Sequence, residues 1–136
     1  MQNLSKIELD ALHEALDDEY RAWATYDQVI ADFGQVRPFI NIRDAEARHI
    51  QALCRLFGYY GIPIPKNAWP GRVEHYPTLK AACEAGVTAE IDNGEMYARL
   101  LRSTDRADIL QVYRNLQRAS QENHLPAFQR CVAREG

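Results

Sequence analysis

An all-α fold, with four long helices packed as an antiparallel bundle, is what this sequence of 136 residues predicts. Three observations carry that expectation. Apolar residues recur at steps of three and four over long stretches, the spacing that lines one face of an α-helix. Start and stop signals cut the chain into four pieces of about 23–29 residues, roughly 35–43 Å each at 1.5 Å per residue. No stretch alternates as a strand would. The expected organisation is a single domain over 1–136, with helices at about 5–33, 38–60, 77–102 and 106–134 and a crossover at 61–76.

Helix one opens at Ser5-Lys6-Ile7-Glu8, a capping box, with Leu4 and Leu9 as its hydrophobic staple. Leu9, Leu12, Leu16, Glu19, Trp23, Tyr26, Ile30 and Phe33 then hold a heptad rhythm as far as Gly34, a helix stop. Pro38 fits the first turn of helix two, whose stripe runs Phe39, Ile42, Glu46, His49, Leu53, Leu56, Tyr60 before Gly61. Helix three starts near Pro77 or Thr78, with an inner line of Cys83, Val87 (or Gly86), Glu90, Gly94, Tyr97 and Leu101. Asp105 with Asp108 reads as the capped, acidic start of helix four, and Pro126 is expected to bend that helix about one turn earlier.

The connections set the topology. Short links join helices one and two, and three and four, so each pair forms a hairpin. Between the pairs, residues 61–76 hold Pro63, Pro65, Pro70 and Gly71. Extended, that segment reaches roughly 50 Å, the full length of the bundle. It would let helices two and three run parallel; a shorter folded-back path is the alternative.

Composition narrows the function classes. Sixteen Lys and Arg face 19 Asp and Glu, so there is no broad basic footprint for nucleic acid. No apolar run approaches ~18 residues, and Met1 to Lys6 lack an apolar signal segment, so no membrane partner and a cytoplasmic setting are expected. Cys54, Cys83 and Cys131 are odd in number, widely spaced and form no Cys-x-x-Cys; they read as reduced, packed thiols.

The chemistry lies in polar residues that interrupt these apolar stripes. Glu46-x-x-His49 places a carboxylate and an imidazole on the inward face of helix two. Burying such a pair costs several kcal/mol unless something compensates. A metal ion would do so; a salt-bridged Glu and a hydrogen-bonded His in a polar layer is the alternative. The other helices contribute Glu19, Glu90 and His124 on their own inner lines, and Glu95 lies on an outer face. Counted along the helices from the hairpins, all five fall in one central zone. Three carboxylates facing one another without a cation would repel strongly.

These residues resemble the ferritin-like diiron-carboxylate superfamily, which includes rubrerythrins, bacterioferritins and ferritins. Its pattern is one Glu from each of two helices and a Glu-x-x-His from each of the other two. In texture the chain is similar to a small prokaryotic ferritin-like family, through Tyr60-Gly61-Ile62 and Ser120-x-x-Asn123-His124-Leu125-x-x-Phe128. The resemblance implies a metal site of Glu19, Glu46, His49, Glu90 and His124, with Glu46 able to bridge two ions. One departure stands out: Gln121 replaces the carboxylate expected three residues before His124. Gln121 offers only a neutral carbonyl oxygen, so the half of the site built on Glu46 and His49 is expected to be the stronger. On the family geometry, Gln121→Glu would strengthen the second position.

The function implied is that of a diiron oxidoreductase reacting with dioxygen or hydrogen peroxide, as a ferroxidase or a peroxide scavenger. Iron is the implied cofactor, as two ions or one, and manganese or zinc suit the same ligands. Tyr26 and Tyr97, seven residues after Glu19 and Glu90, are candidates for hydrogen-bond donors or electron relays in catalysis. Without a rubredoxin-like Cys motif, an external electron donor is implied. A ferritin-type 24-subunit shell is not expected, and a homodimer is compatible. The alternative is an iron-binding or structural bundle with a single-metal or vestigial site and no catalysis.

Overall fold

The computed structural model describes residues 3–135; Met1, Gln2 and Gly136, with the start of the N-terminal stretch read above, lie outside the described residues. Helix α1 spans Lys6–Phe33, α2 Phe39–Tyr59 and α3 Leu79–Leu100. A fourth rod consists of α4 (Ala107–Ala119), a π-helical turn (Ser120–His124) and α5 (Leu125–Glu135). No strand occurs among the described residues, and no helix there is long and apolar enough to cross a membrane.

Local chemistry accounts for most boundaries. Ser5 caps α1 through its hydroxyl on the Glu8 amide, and Glu8 reaches back to the Ser5 amide, completing the capping box. Gly34 and Gly61 take positive φ values of 93° and 71°, a region that glycine enters without strain, just past α1 and α2. Thr78 caps α3 by accepting from the Ala81 amide at 3.0 Å, so the helix begins at Leu79. One expectation is corrected. The cap position of α4 is Arg106, with no side-chain cap, and not Asp105. Asp108 lies in the first turn of α4 as expected and accepts from the Tyr60 hydroxyl at 2.7 Å, tying α4 to the end of α2.

Side-chain pairs give the directions. Tyr26 meets Glu90, Tyr97 meets Glu19 and Arg99 meets Glu14, so α3 is antiparallel to α1. Arg43 meets Asp27, and Gln117 meets the Gly94 carbonyl, closing the two hairpins. The segment between α2 and α3 lies along α1, held by Tyr20 to the Pro65 carbonyl, Trp69 to Asp17 and His75 to Asp32. It thus travels the bundle, and α2 and α3 run parallel.

Two apolar clusters fill the interior. One holds Leu12, Leu16, Leu53, Phe57 and Tyr113; the other holds Tyr26, Ile30, Phe39, Cys83, Phe128 and Cys131. Each fully buried aliphatic or aromatic side chain is worth about 1.5–3 kcal/mol. Trp23 is only half-buried, against its place on the expected stripe, whereas Glu8 is buried. The reading of three reduced thiols is also corrected. Cys83 and Cys131 form a disulfide between α3 and α5, with Cα atoms 6.1 Å apart, and only Cys54 is free. Spacing along the chain gave no sign of this pair, because the two cysteines meet only after the hairpin closes.

Glu8 joins α1 to the α3–α4 turn, accepting from Ser5, Thr104 and Arg106. Although burial opposes ionisation, these donors and the Arg106 charge hold its carboxyl down at about 2. A carboxyl lowered in the folded state adds stability above its unfolded value, and that stability is lost as pH falls toward the folded one. Glu8→Ala is expected to cost about 1–2 kcal/mol at neutral pH. In urea denaturation the difference from the parent chain should shrink as pH falls from 4.5 toward 2.

Candidate metal centre

Between the two apolar clusters lies a layer of buried ionisable groups. Glu19 comes from α1, Glu46 and His49 from α2, Glu90 from α3 and His124 from the π-helical turn, and all are less than a tenth exposed. Glu46 Oε1 is central: it lies 2.8 Å from His49 Nδ1 and 4.0 Å from His124 Nδ1. Glu19 Oε1 is 3.6 Å from His49 Nδ1, and Glu90 Oε1 is 3.4 Å from His124 Nδ1. The imidazole rings stack 5.4 Å apart at 16°. Glu46, His49 and His124 offer ligand atoms all within 4.8 Å of one another.

Despite that proximity, Glu19 Oε1, Glu46 Oε1, His49 Nδ1 and His124 Nδ1 are buried with no hydrogen-bond partner. The pairs are close, but the angles are not those of hydrogen bonds. Buried polar atoms are nearly always paired, and one left unpaired costs about 1–3 kcal/mol. Of these residues, Glu46, His49 and His124 form a group that could hold a metal ion. The donor set of carboxylate oxygen and imidazole nitrogen suits iron, manganese or zinc.

The outward-facing oxygens of Glu19 and Glu90 are satisfied. The Tyr97 hydroxyl donates to Glu19 Oε2, and the Tyr26 hydroxyl donates to Glu90 Oε2 at 2.7 Å. Ser120 Oγ donates to Glu90 Oε1 at 2.7 Å. Burial and then the facing carboxylates push both tyrosines well above their ordinary range, so each hydroxyl keeps its proton. Burial likewise raises Glu46 well above the usual carboxylate range, reinforced by the charges of Glu19 and Glu90. Burial would raise Glu19 too, but the His49 imidazole and Tyr97 hydroxyl outweigh it and hold Glu19 low.

The π-helical turn sets the geometry of the fourth rod. Pro126 has no amide hydrogen, and the Leu125 amide bonds to the Ser120 carbonyl, five residues back. The extra residue in the turn lets Leu116, Ser120, His124 and Phe128, spaced by four, all face inward. Ser120 is therefore the inward neighbour of His124. Gln121 lies to the side: its amide nitrogen donates to the Glu90 carbonyl at 2.7 Å and to Ser120 Oγ at 2.8 Å. Its side chain rests on Gly94, where a Cβ would collide with it.

Sequence reasoning missed Asp18 and Asn93. Asp18 is half-buried, accepts from Asn93 Nδ2 at 2.8 Å and is pushed up to about 6, mainly by burial. Asn93 stands three residues after Glu90, and that same-face spacing was the available signal. Asp18 and Asn93 line a cavity of about 330 Å³ between α1 and α3, with Glu46, Glu90 and Tyr26 also on its wall.

Fold and layer together define a four-helix protein with a buried carboxylate–imidazole centre. The chain belongs to the family described as "Uncharacterized protein domain (DUF2202)", whose model matches residues 8–136. It is similar to the crystal structure of a hypothetical protein, MJ0754, from Methanococcus jannaschii DSM 2661. The two share 26% identity with a TM-score of 0.88, over 100% of this chain and 85% of that one. No curated protein matches it.

Because Gln121 lies beside Glu90 and outside the group, Gln121→Glu should add no metal ligand. It would set a carboxylate against the Glu90 carbonyl and is expected to cost about 1–3 kcal/mol. Thermal denaturation and metal analysis of the variant check both statements.

Proposed function

We propose that this chain is a ferritin-like diiron protein that reacts with dioxygen or hydrogen peroxide, as a ferroxidase or a peroxide-reducing oxidoreductase with an external electron donor. The observation that carries this reading is the convergence of four unpartnered buried atoms, Glu19 Oε1, Glu46 Oε1, His49 Nδ1 and His124 Nδ1. Glu19, Glu46 and His49 would hold one ion; Glu90 and His124 would hold the second, with Glu46 between them. Ferrous iron bound there would supply the electrons that reduce the oxidant.

The chain's own residues then have defined tasks. Tyr97 and Tyr26 fix the outer oxygens of Glu19 and Glu90, leaving the inner oxygens free. Ser120, from the fourth rod, donates to Glu90 Oε1, the oxygen that faces His124, and holds that carboxylate in place. The cavity lined by Asp18, Tyr26 and Glu90 gives a molecule the size of peroxide room beside the layer. Its carboxylates repel anions.

A second reading, one metal without catalysis, is favoured by charge. Two divalent ions would face only three inner carboxylates, Glu19, Glu46 and Glu90, with Gln121 turned aside. Metal analysis of protein purified without chelator separates the readings: two irons per chain, oxidised on adding peroxide, is the expected result. Glu46→Ala should abolish uptake while circular dichroism retains the helices, and Glu95→Ala, at an exposed site, should not. No bound metal, with stability unchanged on adding iron, would overturn both readings.

A further inference from the structure

The Cys83–Cys131 disulfide poses a problem of access. Both residues are 0% exposed, so an oxidant in solution does not reach their sulfurs in the folded chain. They lie in the same apolar cluster as Tyr26, Phe39 and Phe128. Phe128 stands one turn before Cys131 on α5 and packs on Gly86, where a Cβ would come within 2.7 Å of its ring. Gly86 is one turn after Cys83 on α3. The Phe128 ring is 5.2 Å from Tyr26, and the Tyr26 hydroxyl bonds Glu90. Tyr26 and Phe128 thus lead from the carboxylate–imidazole layer into the cluster that holds the two sulfurs.

We propose that Cys83 and Cys131 are an internal two-electron donor to the carboxylate–imidazole layer, with Tyr26 and Phe128 between them, and that they would close to the disulfide when the layer, loaded with iron, meets peroxide. The proposal rests on the diiron reading above. The two thiols lose two electrons and two protons, and the S–S bond forms. The O–O bond of one hydrogen peroxide breaks, taking up those electrons and protons to give two waters. Cys54 lies outside this cluster, against the other one, and keeps its thiol.

The test counts thiols rather than turnover. The full chain is unfolded in denaturant with dithiothreitol and chelator, refolded and desalted without oxygen, and its helicity is checked by circular dichroism. Samples with and without ferrous iron receive one equivalent of peroxide and are then alkylated in denaturant and weighed by mass spectrometry. With iron, alkyl adducts should fall from three to one, with Cys83 and Cys131 as the missing pair. Without iron they should stay at three over the same time, and Tyr26→Phe should slow the loss in the iron-loaded chain. Bound iron oxidised by peroxide with three thiols retained would overturn this inference alone; no bound iron would overturn the diiron reading with it. Equal thiol loss with and without iron, or an undiminished rate in Tyr26→Phe, would also overturn it. As a second measurement, chain expressed with iron or with chelator in the medium is alkylated at lysis. One adduct against three is expected, and equal counts would contradict the proposal.

Discussion

Everything in this bundle is arranged around one unfavourable feature, a layer of three carboxylates and two imidazoles at its centre. Removing such groups from water costs several kcal/mol apiece unless charge and hydrogen bonds compensate. The protein supplies part of that compensation. Tyr97 and Tyr26 donate to the outer oxygens of Glu19 and Glu90, Ser120 donates to the inner oxygen of Glu90, and apolar clusters pack above and below. Glu19 Oε1, Glu46 Oε1, His49 Nδ1 and His124 Nδ1 stay unmatched, and the charges of Glu19 and Glu90 raise Glu46 further once burial has done so. A layer of this kind endures when it has a use that a well-packed apolar layer would not serve.

The fourth rod shows how the backbone accommodates the layer. A regular α-helix advances 100° per residue, so positions spaced by four drift around its face. The π-helical turn removes that drift at Ser120–His124 and brings His124 and Phe128 onto the same inner line. Opposite the turn, α3 presents Gly86 and Gly94, which admit Phe128 and Gln121 at distances that a Cβ would forbid. Small residues on one helix and an extra residue on the other are two halves of one close approach. The same approach sets Cys83 beside Cys131.

Much of this was legible in the sequence, because periodicity and capping are local. The three-and-four spacing placed Glu19, Glu46, His49, Glu90 and His124 inward and Glu95 outward, and burial follows that division. Gly34, Gly61 and Ser5 marked helix ends through backbone conformation and capping alone. What was not legible depends on contacts between distant segments. Asp18 meets Asn93 only across the bundle, a contact between distant segments. Arg106 takes the cap position because Thr104, Arg106 and Glu8 close the α3–α4 turn together. Pro126 signalled a disturbance one turn earlier, but sequence alone could not choose between a bend and a widened turn. That choice decided which of Ser120 and Gln121 faces Glu90.

The central claim is that the unmatched inner atoms are ligands, and thermal unfolding of the metal-free chain against ferrous iron concentration under anaerobic conditions tests it most directly. A metal that binds only the folded state stabilises it by about 2.7 kcal/mol at a hundred times its dissociation constant. The expected result is a midpoint that climbs steadily with iron and does so far less in Glu46→Ala. A midpoint indifferent to iron in the parent chain would contradict the account and leave the layer as a metal-free ionic network.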